Sequence, residues 1–148
     1  MKGSIYEENE YCAYNLALKA KEKKYSDCDN AAALQKLVDS LISQGEYQEA
    51  SFALKRAKEL EPDNAEVYRA MGYSEFMCGN YEACLAANDK ALEMNSSDTY
   101  AMGGRALALY RLGKSEEGIK LMREAVAKSG GKDMNLLQDL RYMTDGKM

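Results

Sequence analysis

The sequence predicts an all-α solenoid of three helix-turn-helix units with one further helix at each end, and three features lead there. Gly45, Gly79 and Gly113 stand thirty-four residues apart, and Ala57, Ala91 and Ala125 repeat that interval twelve positions further on. Other positions keep the same phase: Tyr47 and Tyr81, the small residues Ala50, Cys84 and Gly118, and the bulky Leu54 and Met122. On either side of the repeated glycine, apolar residues recur at spacings of three and four, the mark of two amphipathic helices. A unit of that size cannot bury its apolar face alone, so the copies must stack.

Taken in chain order, residues 5–25 read as a helix with Tyr11, Tyr14, Leu18 and Tyr25 on one stripe and Ala13, Ala17 and Ala20 on another. That helix is placed against the first repeat. Tyr6, Tyr11, Tyr14 and Tyr25 offer more apolar surface than one repeat covers, so a homodimer through this helix is the expected alternative. The first repeat spans residues 31–64, with Leu34, Leu37 and Leu41 before the turn and Ala50, Leu54 and Ala57 after it. Pro62, the only proline, falls where one repeat turns into the next, and Asn64 is positioned to cap the following helix. The second repeat, 65–98, carries Val67, Tyr68, Met71 and Phe76 on one face, breaks at Gly79-Asn80 and resumes at Tyr81. The third, 99–132, keeps Ala106, Gly113, Met122 and Ala125. Gly130-Gly131 closes it, and residues 133–144 form a capping helix whose predicted apolar stripe is Met134, Leu137, Leu140 and Met143.

These residues resemble the tetratricopeptide repeat. The middle copy reads Tyr68, Met71-Gly72, Gly79-Asn80-Tyr81, Cys84 and Ala91, and the first closes with Glu61-Pro62-Asp63. The third copy has Ser115 where the others have tyrosine, and the second and third lack the closing proline. The resemblance implies a right-handed α-α superhelix whose concave wall is made by the first helix of each pair. It also implies a protein-binding role, as scaffold or adaptor, for a peptide or partner protein. The family's carboxylate clamp would fall on Gln35, Asp39, Arg69, Tyr73, Gly103 and Leu107; one of these is basic and Asp39 is acidic, so the resemblance does not carry the clamp over. Type III secretion chaperones have a similar layout, three repeats behind an N-terminal helix, and imply a self-associating chaperone subunit as the competing role.

Composition narrows the chemistry. At 148 residues the chain is one domain, long enough to bury about two thirds of its unfolded surface. A formal charge of -4 argues against nucleic acid, and the lysines at 19, 21, 23 and 24 read as the solvated end of a helix. No run of eighteen apolar residues exists, so membrane insertion is not expected. The acidic start at Glu7, Glu8 and Glu10 is unlike a signal peptide, and together with thiols taken as reduced it points to the cytoplasm. Histidine is absent, which removes Ser-His-Asp and Cys-His arrangements and the HExxH zinc site. The four cysteines contain no CxxC pair, and Cys84 sits at a small-residue position of the repeat. No glycine-rich phosphate loop occurs. Neither catalysis, cofactor nor metal is expected.

Function is therefore assigned to a surface. The expected partner-binding residues are Arg69, Tyr73, Phe76 and Met77 of the second repeat and Tyr100, Tyr110 and Arg111 of the third. Their aromatic and methionine content exceeds what a solvated face requires, and such residues with arginine are enriched at interface centres. The two arginines suggest a ligand with apolar anchors and some acidic character. Glu75, Asn88 and Arg105 occupy positions that the repeat normally fills with apolar residues, which predicts a Glu75–Arg105 ion pair with Asn88 beside it.

Overall fold

The computed structural model describes residues 24–144. The expected N-terminal helix and the dimer assigned to it lie outside the described residues, except for a helical end at residues 24–26. Seven helices follow: α1 (Ala31–Ser43), α2 (Tyr47–Leu60), α3 (Ala65–Met77), α4 (Tyr81–Met94), α5 (Thr99–Arg111), α6 (Ser115–Lys128) and α7 (Met134–Met143). They form three antiparallel hairpins and a final single helix.

Two local devices, each recurring with the repeat, set these boundaries. The helix that opens each hairpin is capped by a side chain. Asn30 accepts from Ala33 N, Asn64 from Glu66 N, and Asp98 from Tyr100 and Ala101 N, each at 3.0–3.1 Å. Asp133 does the same for α7. Each opening helix ends at a glycine with positive φ: 77° at Gly45, 82° at Gly79 and 91° at Gly113. There the amide of the next residue reaches back to the carbonyl five residues earlier, as in Glu46 N to Leu41 O at 2.8 Å and Asn80 N to Glu75 O at 2.8 Å. This closure satisfies carbonyls that the helix end would otherwise leave bare. The second helix of each hairpin starts immediately afterwards and has no side-chain cap.

Packing follows the in-phase positions. Ala50, Cys84 and Gly118 are buried at equivalent positions of the second helices, and Leu54 and Met122 are buried one turn further on. At Gly118 the approach is close enough that a Cβ would stand 2.7 Å from the Ala106 carbonyl oxygen. Leu34, Val38, Phe52, Leu54 and Val67 form one core over the first repeat, and Tyr25 joins it, its hydroxyl donating to Glu49 at 2.6 Å. Met102, Ala106, Met122, Leu136, Leu140 and Met143 form another at the far end. Between them the apolar core thins to Tyr68, Ala91 and Ala101.

Two expectations change. The buried stripe of α7 is Leu136, Leu140 and Met143; Met134 is 75% exposed and Leu137 half-buried. Leu136, Leu140 and Met143, spaced four and three, share one helix face, and Leu136 seats over the Gly103 backbone, which has no Cβ to exclude it. The Glu75–Arg105 pair is replaced by two separate arrangements. Arg105 Nε meets Asp89 Oδ1 at 2.6 Å across the α4–α5 contact, whereas Glu75 accepts from Ser51 Oγ at 2.5 Å and Asn80 Nδ2 at 2.8 Å. Each charge found a partner on the helix it packs against antiparallel, closer than the parallel neighbour one repeat away.

Candidate concave groove

The first helix of one repeat touches the first helix of the next, α3 against α5, and α5 in turn touches α7. Side chains from this row, with Ile42 of α1, enclose an open groove of about 730 Å³. Arg69, Tyr73, Phe76 and Met77 line it from α3, Tyr100 and Leu107 from α5, and Leu136 and Asp139 from α7. Three of the large apolar side chains remain open to solvent, Tyr73 at 48%, Met77 at 45% and Tyr100 at 58%. Exposed groups of that size in one concavity are the kind of surface that usually marks an interaction site.

The seven residues singled out in the sequence divide into two groups. Arg69, Tyr73, Phe76, Met77 and Tyr100 line the groove together. Tyr110 is half-buried against the C-terminal core and meets Tyr142 edge to face, ring centres 6.0 Å apart. Arg111 holds its guanidinium 5.8 Å from the Phe76 ring, 5.9 Å from Tyr81 and 5.5 Å from Tyr142. Neither residue lines the cavity; Arg111 adjoins it through the Phe76 ring, and Tyr110 packs away from it.

The arginines are also occupied. Arg69 Nε lies 3.3 Å from Asp98 Oδ2 and its Nη2 3.6 Å from Glu66, while the guanidinium sits 5.9 Å from the Tyr100 ring. Asp98 thus caps α5 with one oxygen and holds Arg69 with the other. Tyr73 meets Tyr47 edge to face at 5.8 Å, which sets its ring at the side of the groove next to the first repeat.

The groove floor carries a polar side chain at a position in phase with Leu54 and Met122. Asn88 belongs to α4, in the outer layer, yet its carboxamide enters the gap between α3 and α5 and lines the cavity. Only glycines leave room for it: a Cβ at Gly72 would stand 2.6 Å from its Nδ2, and one at Gly104 2.7 Å. The Gly103 backbone is covered by Leu136, whose Cδ2 would lie 2.7 Å from a Cβ there. Asp139, one turn beyond Leu136, has its carboxyl pushed above the usual aspartate range by burial and by the Asp133 carboxylate. Beneath them Cys84 is sealed, its thiol pushed up to about 11 by burial, and so inert near neutral pH. The polar Asn88 in phase with Leu54 and Met122 was legible in the sequence; its fit between Gly72 and Gly104 was not.

A row of stacked helical hairpins with an open concave face defines the class of this protein, a helical repeat solenoid. Family models agree: the TPR repeat matches residues 39–77 and the tetratricopeptide repeat matches 79–133, together well over half of the chain. A DnaJ homolog subfamily C member 7 homolog of Schizosaccharomyces pombe is 30% identical over 131 residues, 79% of this chain and 27% of that protein. The chain therefore spans about a quarter of that relative's length. Among solved structures, the first TPR of Spaghetti (RPAP3), bound to the HSP90 peptide SRMEEVD, superposes with a TM-score of 0.71 at 21% identity. The match covers 82% of this chain and 95% of that one. MamA matches at 0.71 and 21%, over 99% and 86% of the two chains. The chain belongs to the tetratricopeptide repeat family and folds as its right-handed α-α superhelix. No described helix is long and apolar enough to cross a membrane.

Proposed function

We propose that this chain is a non-catalytic protein-interaction module that holds a peptide segment of a partner protein in its concave groove, across the second and third repeats. The observation that carries the reading is the set Tyr73, Met77 and Tyr100, three large apolar side chains left open beside one another in a cavity of about 730 Å³. Buried aromatics supply most of the contact energy in such interfaces. Arg69, Phe76, Tyr73, Met77 and Tyr100 form the contact surface, and Tyr110 and Arg111 support its edge. The structural neighbours lend support of a general kind: the RPAP3 repeat is described with an HSP90 peptide, and the TPR2B domain of yeast Sti1 as a complex with pHsp70.

Tyr73→Ala combined with Tyr100→Ala tests the proposal. Both residues are about half exposed, so the double variant should keep its melting temperature within a few degrees of the parent while losing capture of partners from native lysate. Unchanged capture would move the site off this groove.

A further inference from the structure

Resting on the groove reading above, we propose that the bound segment carries a lysine or arginine flanked by apolar residues, its cationic head received at the groove floor between Asn88 and Asp139.

The first argument is a census of charge. Among the described residues Arg69 is the one cation lining the cavity, and its charge is met within the chain by Asp98 and Glu66. Asp139 lines the same cavity and has no ion-pair partner among the described residues. The unmatched charge on the cavity lining is therefore the Asp139 carboxylate. An acidic segment would meet Asp139 inside the cavity, while Arg111 stands outside the lining, over the Phe76 ring.

The second argument is the hydrogen-bonding capacity of the floor. The Asn88 amide group donates to the Cys84 carbonyl at 3.0 Å and lies 3.3 Å from its sulfur, which leaves Oδ1 without a donor among the described residues. Asn88 is only 3% exposed, so that oxygen can be reached only through the window between Gly72 and Gly104. Asn88 reaches the floor beside Gly104, and α7 covers the adjoining Gly103. Both acceptors line the one cavity, the neutral oxygen beside Gly104 and the carboxylate on the helix that covers Gly103. An ammonium or guanidinium brings several donors and no acceptor, which matches this pair. Leu107, Phe76 and Tyr100 supply the apolar wall that a long basic side chain needs along its stem. The raised pKa of Asp139 agrees: an anion disfavoured in the free protein gains from a cation placed beside it.

Panning a random peptide library displayed on phage against the full chain tests this. Selected peptides should share a lysine or arginine between apolar residues. Their synthetic versions should bind about tenfold more weakly to Asp139→Asn, and Asp139→Lys should reverse the charge preference. Tyr73→Ala should weaken the same peptides. Selected peptides that are acidic at the shared position, or that bind Asp139→Asn as tightly as the parent, overturn the charge inference while sensitivity to Tyr73→Ala leaves the groove standing. Peptides insensitive to Tyr73→Ala, or binding lost in favour of self-association of the chain, overturn both.

Discussion

Asn88 and Asp139 show how single side chains give a generic groove its own character. Asn88 stands at the in-phase core position of Leu54 and Met122 and projects through the first-helix row from behind, and Asp139 reaches in from a helix outside the repeats. Asp139 also makes a measurable prediction about stability. Its folded pKa lies above the ordinary aspartate value of 3.8, mainly through burial and then through Asp133, so its protonated form is the one favoured by folding. That contribution is present below the ordinary value and is lost as pH rises through the folded one. Asp139→Asn should therefore melt slightly higher than the parent at neutral pH, the gap closing in acid below 3.8. Thermal melts in acid and neutral buffer check this, and a gap that widens on acidification would contradict it.

Among elements, the α5–α6 hairpin brings two helix backbones together at Gly118. A Cβ on Gly118 would meet the Ala106 carbonyl oxygen at 2.7 Å and the Tyr110 amide nitrogen at 3.0 Å, and both are backbone atoms that cannot turn aside. Alanine gains about 1 kcal/mol over glycine in a helix. Overpacking costs about 1–3 kcal/mol, so Gly118→Ala should lower stability in a denaturant titration despite its better propensity. A more stable variant would mean that the two helices can separate freely. The helices themselves were legible because their ends are chemical: Gly45, Gly79 and Gly113 close one helix and Asn64 opens another. The register of α7 was not, since Leu136 and Leu137 are equally apolar and only the packing of Leu136 over Gly103 distinguishes them. The Arg105–Asp89 pair was missed for a related reason. Phase within the repeat relates equivalent helices, whereas ion pairs form with whichever helix lies nearest, here the antiparallel neighbour.

For the molecule as a whole, the last helix both seals the core and completes the groove. Leu140 is 5% exposed among Met102, Ala106 and Met122, so Leu140→Ala should cost about 2–5 kcal/mol by chemical denaturation. A loss well below 1 kcal/mol would show that α7 is an appendage with no part in the core. The groove as a general feature followed from stacking the repeats; its closed end and polar floor did not, because α7 lies outside the period and Asn88 crosses between layers. The claim at the centre of this account is that a partner segment lies along the row α3, α5 and α7. The most direct test is a titration of the isotopically labelled chain with a library-selected peptide, following backbone amide shifts. The account predicts perturbations concentrated on Arg69 to Met77, Tyr100 to Leu107 and Asn135 to Asp139, with the outer helices α2 and α6 silent. Shifts confined to α2, α4 and α6 would place the ligand on the convex face and contradict it.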